Sequence, residues 1–433
     1  MRPKRWSRLT LIAAIAALTA VVLPAAPAGA EAGYEQRNNI LIRNNAEFTR
    51  ANGVRSGSGT AADPYVISGW QLPRLEIRDT SAHVVLRDNY VTSQMILNWI
   101  GPHVVAANNV VNDLRVNQNV KRTGAATAGV IRNNRFGVVG QLRHFDGVFS
   151  NNRVDRRDGM FDVVNQTFGG LPRAVNFDGW NGSLFTRNVI RGGYVEVRLH
   201  GHHHGSGFGD DSHHHGSMYS GDEMDHSKHF HEVWIKDNTI EVESGPALIY
   251  TDTAHAANDR TAASEENEAL NGKHIHSTRA HLVGNNLKGG GVEVQIFNAT
   301  DRNHIGTKRG TLEIADNEIV LARPEGRFFH RVPAGINLRD AVDVDLRIEH
   351  NRMIGPPSPE GPVDNLTQPS SSTGIRIDRI DKADIYLFDN RIESVAFGLE
   401  LYGFGKDVRW HTEKLVLRDV ERRTQTDGST EGP

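Results

Sequence analysis

A histidine-rich stretch is the clearest chemical feature of this sequence. Ten of the 21 histidines lie between His200 and His231, with acidic residues and methionines among them. Neutral imidazole is the commonest metal-ligating side chain in proteins, and histidine-rich tracts are typical of metal binding. The predicted ligands are His200, His202, His203, His204, His213, His214, His215, Asp225, His226, His229 and His231.

The ligand types indicate which metal this stretch would bind. Imidazole suits zinc, copper and nickel, and the thioethers of Met218 and Met224 would add soft ligands for Cu(I). Copper or zinc is therefore the expected ion, and no motif predicts an organic cofactor. Many glycines separate the histidines, which favours a mobile chelating loop over a rigid catalytic site. The alternatives are incidental chelation and a solvated loop whose imidazoles gain charge together near pH 6.

A second chemistry open to this chain is the cleavage of a polysaccharide. A lyase needs a cation for the substrate carboxylate and a base for the C5 proton, whereas a hydrolase needs two carboxylates across the bond. No motif identifies a catalytic pair. The third class is a non-catalytic surface or adhesive protein. The candidate carboxylates, all expected at outward strand positions, are Asp178, Glu196, Asp252, Glu293 and Glu400, and the possible sugar platforms are Trp180 and Tyr402.

A repeat predicts the fold that positions these residues. An apolar residue, two others, an asparagine, one other and a second apolar residue recur along the chain. We expect the apolar residues to face inward, and the asparagine to adopt a left-handed turn and to bond its counterparts in a ladder. Leu417-Arg418-Asp419-Val420 is interpreted as a terminal copy without the asparagine. The asparagines are Asn89, Asn109, Asn134, Asn152, Asn188, Asn238, Asn285, Asn317, Asn351 and Asn390.

A second strand pattern, a small residue followed by two apolar residues in alternation, recurs between the asparagine copies. Examples begin at Gly291, Gly335 and Gly374. The two patterns together predict an all-β fold, a right-handed parallel β-helix (solenoid) of roughly ten to twelve coils with long loops on one flank. A leucine-rich repeat is the main rival. The asparagine spacing is wide and irregular, the inward residues are mostly Val, Ile and Phe, and a strand replaces the helix, so the β-helix is favoured.

The repeat also predicts where the histidine-rich loop lies. It leaves the strand 194–199, while the segments 253–279 and 298–310 leave the equivalent strands of the next two coils. All three should therefore occupy the same turn and wall one cleft. They would bring together His255, His274, His276, His304, Lys273, Arg302, Lys308 and Arg309, of which Lys273, Arg302, Lys308, His274 and His304 are the lyase candidates.

The first thirty residues indicate an exported protein. A basic start, an apolar run from Leu9 to about Ala26 and a terminal Ala28-Gly29-Ala30 are typical of a secretory signal, residues 1–30, rather than a membrane anchor. The remainder is predicted as the β-helix, 31–420, with an entry segment at 38–72, the histidine-rich insertion at 200–231, and a disordered tail at 421–433. We expect a secreted protein without membrane attachment after cleavage.

Composition narrows the partners. The net charge of −3 gives no basic field for nucleic acid, and the lack of cysteine excludes disulfides and thiolate ligands. The expected partners are a metal ion and a polysaccharide, and the oligomeric state is left open.

The entry segment carries a family resemblance. Residues 57–70 read Gly-Ser-Gly-Thr-Ala-Ala-Asp-Pro-Tyr-Val-Ile-Ser-Gly-Trp and precede the asparagine coils. This arrangement resembles secreted β-helix proteins of the NosD-like, carbohydrate-binding and sugar hydrolase type. The resemblance implies the architecture. Those families include polysaccharide lyases, hydrolases, epimerases, a periplasmic protein linked to copper-site maturation and surface proteins without known chemistry, so the fold alone does not select a function.

Overall fold

The fold is an all-β parallel β-helix, as the repeat predicts. The computed structural model describes residues 33–100, 103–117, 129–156, 167–168, 171–179, 182–199, 230–243, 245–252, 277–296, 310–322, 333–342, 344–356, 372–405 and 407–426. The predicted signal peptide, residues 1–30, lies outside this set. Within it, no helix is long and apolar enough to cross a membrane.

The strands are short and numerous. Two single-turn 3₁₀ helices, Asn45–Glu47 and Arg50–Asn52, precede the third strand. The first strands are β1 (Glu35–Gln36), β2 (Ile40–Ile42), β3 (Tyr65–Ser68), β4 (Trp70–Thr80), β5 (Val84–Arg87), β6 (Tyr90–Ile100), β7 (Val104–Ala107), β8 (Val110–Asn117), β9 (Val130–Arg132), β10 (Arg135–Phe145), β11 (Val148–Ser150), β12 (Arg153–Asp155), β13 (Thr167–Phe168), β14 (Leu171–Gly179), β15 (Ser183–Thr186), β16 (Val189–Arg191) and β17 (Tyr194–Leu199). The others are β18 (Phe230–Lys236), β19 (Thr239–Glu241), β20 (Leu248–Asp252), β21 (Ser277–Val283), β22 (Asn286–Gly289), β23 (Val292–Ile296), β24 (Gly310–Ala315), β25 (Glu318–Leu321), β26 (Ala334–Val342), β27 (Val344–Glu349), β28 (Arg352–Ile354), β29 (Thr373–Asp381), β30 (Asp384–Phe388), β31 (Arg391–Glu393), β32 (Phe397–Phe404), β33 (Arg409–Glu413), β34 (Val416–Arg418) and β35 (Arg422–Thr426).

Two sheets wrap around one core. Within the described ranges, sheet I contains twelve strands, one from each coil, and sheet II contains 23. Sheet II has two rows. Row A holds the strands that directly follow the ladder positions, such as β16, β19 and β22, and row B holds the second strands, such as β17, β20 and β23. In the early coils a single bent strand such as β6 supplies both rows, with a register shift between them. Twelve coils agree with the number that the repeat predicts.

The predicted asparagine ladder runs through ten successive coils, from Asn89 to Asn390. Each ladder amide donates to the Oδ1 of the next ladder asparagine at 2.9–3.2 Å, from Asn89 through to Asn390. The same Oδ1 accepts the backbone N–H of the preceding ladder asparagine. Every ladder asparagine is buried. The ladder therefore satisfies buried backbone and side-chain groups at one corner of each coil that has a ladder asparagine.

One prediction about the ladder was wrong. The left-handed residue at this corner is the residue before the ladder asparagine, as at Asp88 (φ 54°), Arg187 (φ 55°) and Asp316 (φ 56°). The asparagine itself is needed for its amide, which can donate and accept at once. Gly284 takes the same place before Asn285, with φ 68°.

The end of the chain also corrects two predictions. Val416 pairs with Arg391, the residue after Asn390, so Leu415 and not Val420 takes the ladder position in the last coil. Lys414, with φ 56°, is its left-handed neighbour. Residues 422–426 form β35, which pairs with β32, so part of the predicted disordered tail belongs to the solenoid.

The core is a continuous stack of inward residues. Valine, isoleucine and leucine fill most inward positions, and the middle coils hold stacked aromatic rings. Phe149 and Phe185 lie face to face at 5.0 Å, and Phe136 stacks on Phe149 at 5.9 Å. Because each coil buries its inward side chains against the next coil, the stability of each coil depends on its neighbours.

Candidate functional site

Most of the predicted site residues lie outside the described part of the chain. His231 is in β18, where its backbone pairs with Thr278 of β21. Those outside are the ligands His200, His202, His203, His204, His213, His214, His215, Asp225, His226 and His229, and the cleft residues His255, His274, His276, His304, Lys273, Arg302, Lys308, Arg309 and Trp180.

The strands that carry these segments are in the predicted register. Leu199, at the end of β17, pairs with Asp252 at the end of β20, and Asp252 pairs with Ile296 at the end of β23. The strands that follow the segments, β18, β21 and β24, are also consecutive neighbours in sheet I. Neighbouring strands lie about 4.8 Å apart. The ends of β17, β20 and β23, where the three segments begin, therefore lie within about 10 Å of one another.

Asp252 does not face outward as predicted. It pairs with Leu199 and Ile296, which are buried, and its own exposure is 2 %. The hydroxyl of Tyr250, two residues earlier on the same face, lies 3.5 Å from Asp252 Oδ2. Burial, and then the nearby carboxylate, raises the pKa of Tyr250 well above its ordinary value. β20, the middle strand of the three, thus ends in a buried tyrosine and a buried aspartate.

The other candidate carboxylates occupy outward positions of row B. Glu196 is aligned with Asn176 and Ile249, and Ile249 is aligned with Glu293. Asp178 is aligned with Arg198, and Glu400 with Arg376. All four carboxylates are nevertheless buried, because neighbouring side chains cover them.

Glu196 lies between two arginine side chains on this face. Its Oε2 lies 2.5 Å from Arg173 Nη1, and its Oε1 accepts from Arg198 Nε at 2.8 Å. Tyr194, on the same strand, is buried, and its pKa is raised to about 12 by burial and then by the charge of Glu196. Arg156 donates to the Arg173 carbonyl at 2.8 Å, and burial followed by the charge of Arg173 lowers its pKa.

Glu293 and Glu400 accept hydrogen bonds from neutral side chains. Gln295 donates to Glu293 Oε1 at 3.3 Å. Glu400 accepts hydrogen bonds from the hydroxyls of Thr373 at 2.5 Å and Tyr402 at 2.9 Å. Burial and then the Glu400 contact raise the pKa of Tyr402 to about 12. These partners come from the same or a neighbouring strand, which is the arrangement that a structural carboxylate needs.

A charged cluster on sheet I was not found from the sequence. The His281 ring stacks on Trp234 at 3.7 Å and 7°, its Nδ1 lies 2.6 Å from Glu313 Oε2, and its Nε2 lies 3.4 Å from Glu232 Oε1. Burial alone would lower the pKa of His281, but the two carboxylates outweigh it and the pKa is raised. The cluster thus joins β18, β21 and β24, the strands that follow the three segments.

The signal for this cluster is present in the repeat. Trp234, His281 and Glu313 each lie four residues before a ladder asparagine, at Asn238, Asn285 and Asn317. Aligning the copies on the asparagine places them in one outward column of sheet I.

No group of three or more His, Cys, Asp or Glu side chains suited to a metal occurs within the described ranges. Comparisons of the chain with protein-family models, with curated proteins and with solved structures found no match.

Proposed function

We propose that this protein is a secreted β-helix that binds copper or zinc through the histidines of residues 200–231. The observation that carries the proposal is the register of the three strand ends, Leu199, Asp252 and Ile296. A stiff parallel sheet fixes both ends of the histidine-rich segment beside two more segments that contain histidine. Ligands supplied from adjacent anchored segments have less entropy to lose on binding than ligands of a free chain.

The chemistry of the segment supports the same proposal. It offers ten imidazoles and several carboxylates, and the chain has no cysteine, so the donor set is that of a borderline divalent ion. We also propose that the chain is related to the NosD-like, carbohydrate-binding and sugar hydrolase type, on the strength of residues 57–70 and the asparagine coils.

The first test is the metal content of the mature chain purified without a histidine tag. We expect near-stoichiometric copper or zinc by mass spectrometry. A second chain in which residues 201–229 are replaced by a short Gly/Ser linker should lose the metal and keep the β-sheet circular dichroism spectrum. If the untagged protein retains no metal after mild dialysis, the segment is an incidental chelator and the proposal fails.

A second candidate function is hydrolysis of a polysaccharide on the outer face of row B. Asp178 and Glu196 lie on neighbouring strands, and Glu196 is aligned with Asn176, two residues before Asp178. The backbone positions of such diagonal neighbours are about 7–8 Å apart, so their side chains can reach the carboxylate separation of inverting hydrolases, about 6.5–9.5 Å. Arg173 and Arg198 beside Glu196 would favour an acidic sugar.

This candidate is tested by incubating the chain with acidic polysaccharides and measuring new reducing ends. Asp178→Asn and Glu196→Gln should each abolish product. Glu293→Gln is the matched control, because Glu293 lies in the same outward row two coils away. Product with an unsaturated end would instead indicate a lyase, and no product from any polymer would favour a non-catalytic surface protein.

A further inference from the structure

Two histidines lie side by side on sheet I, several coils before β18. His83 and His103 each lie six residues before a ladder asparagine, Asn89 and Asn109. They precede β5 and β7, which are hydrogen-bonded neighbours in sheet I, and Val84 N donates to the His103 carbonyl at 2.9 Å. Val84 and Leu86 point into the core, so positions 83 and 103 are on the outer face by alternation.

The two rings are close enough to share one ion. Their centroids are 4.2 Å apart and their planes meet at 37°, so the rings approach more closely at one edge than at the other. Two imidazoles bound to one ion at about 2.0–2.1 Å each bring their nitrogens to about 3 Å from one another. Both side chains are only partly buried, so water has access to complete the coordination.

We propose that His83 and His103 form a two-histidine site for a borderline divalent ion, with Cu(II) the strongest binder of the series. The site is separate from residues 200–231 and does not depend on the function proposed for them. Its two protein ligands leave the other positions to water, so its affinity should be lower than that of a closed structural site.

The test uses the full mature chain in which the histidines of 200–231 are changed to Gln, titrated with Cu(II). We expect one bound equivalent by calorimetry and an electron paramagnetic resonance spectrum with coupling to two nitrogens. His83→Gln or His103→Gln should remove that equivalent. His411→Gln is the control, because this exposed histidine stacks on Tyr386 instead of another histidine.

The outcomes separate the two metal proposals. If the background chain binds no Cu(II), or if either Gln variant keeps the same equivalent and nitrogen coupling, the His83–His103 site is refuted. Circular dichroism and thermal melts of each variant check that the fold is intact. Metal lost only on changing residues 200–231 supports the first proposal and refutes the second.

Discussion

The ladder asparagines are the residues that this fold can least replace. Asn238 illustrates the arrangement, since its Oδ1 accepts from Asn188 N at 2.9 Å and Asn188 Nδ2 at 3.0 Å. Its Nδ2 donates to Phe185 O and to Asn285 Oδ1, both at 3.0 Å. No other side chain of this size both donates and accepts in this geometry.

We therefore expect Asn238→Ala to lower the free energy of unfolding by about 3 kcal/mol, because it leaves buried donors and acceptors without partners. Urea unfolding followed by circular dichroism measures the change. Asn337→Ala is the control, since Asn337 is an outward residue of row B. Equal losses in the two variants would show that the ladder has no special energetic role.

His281 should make the stability of the solenoid depend on pH. Its folded-state pKa is raised above 6.5 by Glu232 and Glu313, so its contribution is fully present below about pH 6.5 and is lost as the pH rises through the folded-state value. The pKa of Glu313 is lowered from 4.5, chiefly by the contact with His281, so its share is lost only as the pH falls through that lower value. The contribution is thus largest between about pH 4.5 and 6.5.

His281→Gln should accordingly cost about 1 kcal/mol at pH 6 and less at pH 8.5. Unfolding free energies of the wild type and the variant across this range measure the difference. His411→Gln again serves as the control, because it occupies the same outward column without this pair of carboxylates. A difference that does not vary with pH would mean that His281 acts through packing on Trp234 alone.

At the scale of strands and turns, the sequence predicted more of the fold than of the site. The spacing of the asparagines predicted the coils, because the asparagine of each repeat makes the same hydrogen bonds. The alternation of apolar residues does not determine which way a residue at a strand end points. It predicts an outward Asp252, whereas the pairing with the buried Leu199 places Asp252 on the inward face. Val420 was misassigned for a related reason, since the last copy lacks the asparagine that marks the register.

The left-handed turn before each ladder asparagine can be tested by two opposite substitutions. Arg187 and Gly284 occupy the same left-handed position in different coils. A side chain there costs about 1–2 kcal/mol, and a Cβ on Gly284 would lie 2.6 Å from Asp237 Oδ1. Gly284→Ala should therefore lower stability by about 1–2 kcal/mol.

Arg187→Gly should do the reverse and raise the stability by about 0.5 kcal/mol, since relief of strain is partly offset by the entropy of glycine. Thermal and urea unfolding of both variants give the signs. Two changes of the same sign would contradict the assignment of a shared left-handed turn.

The solenoid, taken as a whole, is a stack in which each coil contacts only its neighbours, so removing one complete coil should leave the rest in register. The coil 133–150 is the shortest, because Asn134 and Asn152 are 18 residues apart, and all of it is described. Ser150 pairs with Arg132 in sheet I, so joining Arg132 to Asn151 restores the same turn, and Asn109 meets Asn152 in the ladder.

We expect the chain without residues 133–150 to fold as a monodisperse β-sheet protein that unfolds in one transition, by size-exclusion chromatography and circular dichroism. Removing only residues 133–141 should give aggregated or unfolded protein, because it sets a sheet II position against sheet I and leaves buried amides unpaired. The two deletions differ in the opposite direction in the aromatic core that they remove. The larger deletion removes both Phe136 and Phe149, which stack on each other, whereas the smaller deletion keeps Phe149. If hydrophobic content governed folding more than coil register, the smaller deletion would be the milder one.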